Sequence, residues 1–329
     1  MKAAVYRAYG APEVVRIEDI PKPVAGDNDV VVRIVASTLC SADWRLRRPS
    51  PPPMGWIMNG FSRPKKINVL GMEFAGTVDS VGPSVTGLKI GDRVFGASWR
   101  FGAHAEYACF PERSVIRIPD GVGFAAAAAI PYGGITALHF LKLAGIAAGQ
   151  NVLIRGASGS VGSAAVQLAK HFGARVTGVC SAANVELVRS IGADAVVDYT
   201  HEDFARAGRV YDIVHDTIGG FCYRRARRAL KRGGTFVDAG PGWASLFVGP
   251  WLRATGQGSV VGTIAKGGRE ALEFLADLVA QGKFKPVIER HYGLGEIVAA
   301  HRHAEAGHKK GNLVIDVAMV SAAGRAPRS

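Results

Sequence analysis

NVLIRGASGSVGSAAVQLAKHFGARVTGVC, residues 151–180, reads as strand, glycine-rich turn, helix and strand in immediate succession. A short apolar strand at 152–154 runs straight into GASGSVG at 156–162. Gly156 allows the tight turn, Gly159 lets backbone N–H groups approach a pyrophosphate, and Gly162 lets the following helix pack close to the strand. The helix carries Val161, Ala164, Ala165, Leu168, Ala169 and Phe172, an apolar stripe at helical spacing that would bury on a sheet. A glycine string alone is weak evidence. Placed between a strand and a helix of one βαβ unit, it reads as a dinucleotide-binding turn.

Outward from that turn the chain has two textures. After Pro119, helices alternate with short apolar strands such as RVTGVC, ADAVVDY, YDIVHDT, GTFVDAG (234–240) and SVVGTI (259–264), with a helix near 268–281. That alternation predicts an α/β domain with a doubly wound parallel sheet over residues 119–283. From residue 1 to 118 the pattern is instead short β-rich runs broken by Gly, Pro, Asp and Asn, among them VVVRIVAS at 30–37, FAGTVDSVG at 74–82 and DRVFGA at 92–97. These predict an antiparallel β domain, and the tail from 284, with a last strand NLVIDV at 312–317, is expected to return and complete it. The final dozen residues read as frayed. Residues 47–66, holding five of the 16 prolines, read as an exposed loop, with Trp56, Ile57, Met58 and Phe61 as candidates for a lid or for packing within the loop itself.

Composition narrows the class further. A chain of 329 residues that is 48% hydrophobic and 20% charged is not disordered and suits two domains. No apolar run reaches the roughly 18 residues of a membrane span, and the N-terminus lacks a signal-peptide pattern, so a soluble cytoplasmic protein is expected. Cys40, Cys109, Cys180 and Cys222 stand singly, with no CxxC pair, which points away from a disulfide framework or a closed zinc site. Forty Lys and Arg against 27 Asp and Glu leave a net charge of +13, which suits an anionic partner.

The end of the second strand indicates which dinucleotide. A free ribose 2′-hydroxyl is normally met there by Asp or Glu, about 20 residues past the turn. Here the position is Cys180-Ser181. A serine hydroxyl can donate to a 2′-phosphate without repelling it, so NADPH is favoured over NADH. No cationic helper follows in Ala182, Ala183 and Asn184, leaving the source of such a charge open.

Taken together, LGMEFAGTVDSVG (70–82), GDRVFG (91–96), GAHAEYACFPE (102–112), AAAIPYGGITAL (127–138), GASGSVGSAAVQLAKHFGA (156–174), IGADAVVDY (191–199), DTIGG (216–220) and GHKKGNLVIDV (307–317) resemble the medium-chain dehydrogenase/reductase superfamily. Within it they are most similar to the zinc-independent quinone oxidoreductase, or zeta-crystallin-like, branch. The resemblance spans nearly the whole chain. It implies a GroES-like substrate domain (1–118 and 284–329), a Rossmann NADPH-binding domain (119–283), a cleft between them, and hydride transfer from NADPH to a quinone or α,β-unsaturated carbonyl, commonly in a dimer or tetramer. Ser158, Gly159, Ser160, Val161 and Gly162 resemble the pyrophosphate turn, and Ser181 and Tyr199 the groups around the 2′-phosphate. Thr136 resembles a nicotinamide-side contact. Gly240, Pro241 and Thr263 lie where later strands flank the nicotinamide, and Asn312 occupies a position where a lysine is frequent.

Superfamily alcohol dehydrogenases hold a catalytic zinc through Cys, His and Cys with an open fourth position. Cys40 resembles the first ligand, but Met72 and Tyr132 stand at the second and third positions. A thioether and a phenol do not replace imidazole and thiolate for zinc, so no metal is expected. Cys40 then reads as a packed side chain and Glu73 as a structural carboxylate. Without a metal, a hydride acceptor needs a donor for its developing oxyanion. Tyr132, beside the GGIT segment, and Arg45, where many relatives carry tyrosine, are the candidates. Trp44, Trp99, Phe101 and Trp243 are candidate aromatic walls, while His104, His139, His301, His303 and His308 show no ligand spacing and read as packed or surface residues.

Two other functions compete with this expectation. Three basic runs, RLRR (45–48), RPKK (63–66) and RRARRALKR (224–232), suit a nucleic-acid-binding or redox-sensing NADPH protein, although no nucleic-acid fold motif accompanies them. An alcohol dehydrogenase acting on a secondary alcohol is disfavoured by the missing zinc ligands.

Overall fold

The computed structural model describes residues 1–49, 52–220, 223–238, 255 and 258–317. In chain order the strands are β1 (Lys2–Tyr6), β2 (Val15–Asp19), β3 (Asp29–Leu39), β4 (Glu73–Val81), β5 (Arg93–Ala97), β6 (Tyr107–Pro111), β7 (Val115–Arg117), β8 (Asn151–Arg155), β9 (Arg175–Cys180), β10 (Ala195–Asp198), β11 (Tyr211–Asp216), β12 (Leu230–Asp238), β13 (Ser259–Val261), β14 (Ile288–Gly293) and β15 (Asn312–Asp316). The helices are α1 (Ser41–Arg47), α2 (Pro52–Asn59), α3 (Phe124–Ala128), α4 (Pro131–Leu143), α5 (Ser160–His171), α6 (Val185–Ser190), α7 (Tyr223–Ala226), α8 (Arg269–Ala280) and α9 (Ile297–Glu305).

These elements group into two compact units, Met1–Tyr132 with Gly268–Ala280 and Val287–Ser329, and Gly133–Gly267 with Gln281–Pro286. The limits differ from 118 and 284 because α3 packs against β3 and β4, and α8 against β7. Periodicity shows that a helix has a covered face, but not which sheet covers it.

In the second unit six strands form one sheet in the order β10-β9-β8-β11-β12-β13, every pair parallel. The first strand, β8, therefore lies inside the sheet, and the winding reverses between β9 on one side and β11 on the other. The carboxyl end of β8 is the topological switch point of this doubly wound sheet, and the glycine turn stands there. Helix α5 buries Ala164, Ala165, Leu168 and Ala169 of the predicted stripe, with Val166 beside them, whereas Val161 and Phe172 at the two ends are only partly buried.

The first unit is built on strands ordered β14-β15-β3-β4-β5-β7, with β6 also on β3, and a β1-β2 pair beside it. β15 pairs antiparallel with β3, Leu313 opposite Leu39, so the tail does complete this sheet. Val30, Val32, Ile34, Phe74 and Phe110 fill its core, with the Phe74 and Phe110 rings stacked 3.8 Å apart. The segment expected to be a loop at 47–66 instead contains α2, because Pro52 and Pro53 fall at the helix start, where a missing N–H costs nothing. Asn59, buried at the helix end, donates through Nδ2 to Tyr6 Oη (2.7 Å) and to the Ile67 carbonyl (2.8 Å). Its Oδ1 accepts from the N–H groups of Lys66 and Ile67, which closes the segment back onto β1. Of the lid candidates, Ile57 (80%) and Phe61 (72%) are exposed, Met58 packs on the core, and Trp56 meets Phe61 at 4.6 Å. The last dozen residues, 318–329, lie outside the described residues.

Candidate functional site

The glycine turn has the shape a pyrophosphate requires. Gly156 holds φ at 77°, a left-handed conformation that suits glycine. A Cβ on Gly162 would collide with the main chain of the turn, at 2.7 Å from Gly156 C and 2.9 Å from Ala157 Cα, so the helix can approach the strand only without a side chain there. Gly159 is the N-cap of α5, and it leaves Ser160, Val161 and Gly162 in the first turn, whose N–H groups have no intrahelical acceptor. The positive end of a 12-residue helix, approached past glycines at 159 and 162, fits a dinucleotide. Gly133 on α4 is constrained similarly, since its Cβ would come within 2.7 Å of Ser160 Oγ.

Beside the turn, parallel pairing of β10 with β9 places Asp198 opposite Cys180, and the Tyr199 N–H donates to the Cys180 carbonyl at 3.1 Å. Ser181 and Tyr199, eighteen positions apart in sequence, thus emerge at the carboxyl ends of neighbouring strands, with Tyr199 55% exposed. Ser181 caps a short 3-10 turn that ends at Asn184. Asn184 is buried, and its Nδ2 donates to both Ser158 Oγ and Ser181 Oγ, each at 3.2 Å. Thr136 is half-buried on α4, and Thr263 is exposed just beyond β13. Gly240, Pro241 and Trp243 lie outside the described residues.

The first unit collects a second set of polar groups. Tyr132, at the start of α4, shares a 2.5 Å hydrogen bond between its hydroxyl and Ser41 Oγ. Its backbone N–H donates to Glu73 Oε1 at 2.5 Å, and Thr38 Oγ1 donates to the other carboxylate oxygen. Burial, with the Cys40 thiol nearby, pushes the Tyr132 phenol up, while the Arg45 guanidinium opposes it. Burial also raises Glu73 to about 7, against the lowering influence of its two hydrogen bonds. Cys40 is held up by burial and by the charges of Asp43 and Glu73. Lys309 is pushed down by burial, although Cys40, Glu73, Glu289 and Asp43 all favour its charge, and its Nζ donates to the Gly311 carbonyl at 2.8 Å.

Tyr132 and Arg45 are thus brought together, with Arg45 lying 5.3 Å over the Trp44 ring. Met72 and Cys40 are both buried in the core around them. Among the described residues no group of three or more His, Cys, Asp or Glu could hold a metal ion. Asn312 is buried and its Nδ2 donates to the carbonyls of Val287 (3.0 Å) and Ala129 (3.4 Å).

Sequence reading singled out neither Ser41, Thr38 and Lys309 nor Asn184. Only SAAN at 181–184 carried a signal, an Asn and a Ser three apart in a turn-forming run. Of the basic runs, Arg47 is buried, ion-paired with Glu305 and donating to the Gly10 carbonyl, while Arg225 pairs with Asp203 and Lys231 with Asp212. His104 is buried with Nε2 3.0 Å from the Thr38 carbonyl, and Trp99 is exposed. No helix among the described residues is long and apolar enough to cross a membrane.

Comparison with known proteins agrees with these features. Residues 26–120 match the alcohol dehydrogenase GroES-like domain, and residues 191–315 match the family described as zinc-binding dehydrogenase, a segment that contains none of Cys40, Met72 and Tyr132. A 2-methylene-furan-3-one reductase of Solanum lycopersicum is 33% identical, covering 96% of this chain and 79% of its own. The quinone oxidoreductase of Coxiella burnetii superposes with a TM-score of 0.87 at 30% identity, covering 96% of this chain and 99% of its own. A mycobacterial protein solved in complex with NADPH superposes at 0.82 with 27% identity, over 96% of this chain and all of its own. On the strength of that full-length similarity, the chain belongs to the medium-chain dehydrogenase/reductase superfamily, in its quinone oxidoreductase-like branch, and is an oxidoreductase.

Proposed function

We propose that the protein reduces a quinone or an α,β-unsaturated carbonyl with NADPH and without a metal ion. One observation carries the reading. Where zinc dehydrogenases of the superfamily are expected to place a metal ligand, this chain holds a phenol hydrogen-bonded to a hydroxyl, Tyr132 to Ser41. The relatives support the substrate class, one being an enone reductase and another a quinone oxidoreductase.

NADPH, when bound, supplies the hydride. The turn and first helical residues from Ser158 to Gly162 would hold the pyrophosphate, Ser181 and Tyr199 the 2′-phosphate, and Thr136, Gly240, Pro241, Thr263 and Asn312 the remainder. As hydride reaches the β-carbon of an enone, the displaced electron pair moves to the carbonyl oxygen, which becomes an enolate. The Tyr132 hydroxyl donates to that oxygen, and Arg45 offsets part of the new negative charge. Ser41 is a positioning residue, because its Oγ shares the hydrogen bond that orients the Tyr132 hydroxyl. Glu73 is a positioning residue, because its carboxylate accepts the Tyr132 N–H and fixes where α4 begins. Hydride at the β-carbon and a proton taken from solvent at the α-carbon together would give the saturated ketone and NADP⁺. We also read the enzyme as a cytoplasmic homodimer whose main anionic ligand is the cofactor rather than a nucleic acid.

The test is NADPH consumption with a panel of quinones and α,β-unsaturated ketones, set against NADP⁺ reduction with secondary alcohols. Turnover is expected with the first panel, and Tyr132→Phe should lower kcat about 10²-fold on an enone while leaving NADPH affinity in place. No turnover with any acceptor, or stoichiometric zinc in protein purified without added zinc, refutes the reading.

A further inference from the structure

We propose that Asn184 is a specificity-determining residue, whose side-chain amide locks the Ser158 and Ser181 hydroxyls into the role of donors toward the phosphate groups of the cofactor. The inference rests on the NADPH reading above and explains how phosphate selectivity arises where no basic residue follows Ser181.

The geometry lies within one unit. Ser158 belongs to the pyrophosphate turn and Ser181 to the end of β9, and the two are 23 positions apart in sequence. Asn184 spans them, with two Nδ2 hydrogens and two 3.2 Å acceptors. It is held in place because it is 8% exposed and its backbone N–H donates to the Ser181 carbonyl at 2.9 Å.

An amide –NH₂ is a donor only, whereas a hydroxyl carries one proton and two lone pairs. Each serine oxygen therefore accepts from Asn184, and each keeps its own proton to give away. Among the described residues neither hydroxyl donates that proton to a protein acceptor. Two preset O–H donors suit acceptor-only phosphate oxygens, and hydrogen bonds to ionised acceptors are the stronger kind. A 2′-hydroxyl gains less from the same donors, being neutral. The amide also couples the two sites: ordering Ser158 on the pyrophosphate orders Ser181 for the 2′ position. Asn184 Oδ1 has no hydrogen-bond partner, and the reverse orientation of the amide would instead leave a buried –NH₂ with two unsatisfied hydrogens and turn both serine hydroxyls to donate to Oδ1.

The experiment compares Kd for NADPH and for NADH, by fluorescence titration, in the wild type, Asn184→Asp, Asn184→Ala and Ser181→Ala, with apo-protein melting recorded for each. Asn184→Asp keeps the shape but accepts from both serines and adds a negative charge. It should lower the NADPH-to-NADH preference at least about tenfold, equivalent to about 1.4 kcal/mol, with NADH weakened only by the share that Ser158 contributes at the pyrophosphate both cofactors carry. Asn184→Ala should lose selectivity in the same direction by a smaller factor. Ser181→Ala, at a half-exposed position, should lower the NADPH-to-NADH preference even if the Asn184 variants fail to fold. A merely structural Asn184 would lower melting and weaken both cofactors alike. An unchanged preference in the folded variants, Ser181→Ala included, overturns the proposal. A wild type that binds neither cofactor defeats the cofactor reading itself, and a wild type that binds both equally removes the selectivity Asn184 is said to supply.

Discussion

Replacing Glu73 with Gln should flatten the pH dependence of stability of the β unit. Glu73 is fully buried, and its proton affinity is set by burial first, rising from an ordinary 4.5 to about 7. Between those two values the folded chain holds a proton that the unfolded chain has lost. Stability is therefore greatest below about 4.5 and falls as pH climbs to about 7, above which the carboxylate is charged in both states. At about 1.4 kcal/mol per tenfold change in proton affinity, the span amounts to about 3 kcal/mol lost between pH 4.5 and 7. Gln carries no charge yet fits the same bonds. Its Oε1 can accept the Tyr132 N–H, and its amide can donate to Thr38 Oγ1, a hydroxyl free to reverse its role. Calorimetric melting of wild type and Glu73→Gln at pH 5 and pH 8 gives the assay, and subtracting the two removes the other titrating groups. At roughly 2–4 °C per kcal/mol, the variant should gain about 6–12 °C on the wild type between the two pH values. Parallel melting curves across that range would show that the buried carboxylate does not titrate as its surroundings dictate.

Two further changes test other parts of the structure. Gly162→Ala forces a methyl group against the Gly156 main chain, so it should cost about 1–3 kcal/mol and abolish tight dinucleotide binding, checked by melting and by NADPH titration. Retained affinity would show the turn can relax. Arg47→Ala removes a fully buried guanidinium from Glu305 and the Gly10 carbonyl, so denaturant unfolding should show a loss of about 3–5 kcal/mol. A loss under about 1 kcal/mol would mean that the pair barely offsets its own desolvation.

How far the sequence carried the fold depended on how local each signal was. The α5 stripe and the turn GASGSVG lie within one continuous segment; the turn is formed as read, and the stripe is buried at its four middle positions, Ala164, Ala165, Leu168 and Ala169. Helix α2 was hidden because five prolines at 47–66 suggested a loop, and proline reports a helix start only when the following residues are known to pack. The assignment of α3 and α8 to the β unit was equally hidden, since an apolar face does not name its partner.

The site divides along the same line. Sequence alone determined that a strand, a glycine turn and a helix follow one another, that no acidic residue ends the second strand, and that Met72 and Tyr132 stand where zinc ligands would be expected. Those are statements about residue identity and short spacing, which the covalent chain fixes. Only the tertiary structure decided that Asn184 joins Ser158 to Ser181, that Glu73 receives the Tyr132 N–H across 59 positions, and that Cys40 and Glu73 favour the charge of Lys309. Hydrogen-bond partners and charge environments are set by which segments the packed core brings within about 3 Å, and no local pattern records that distance.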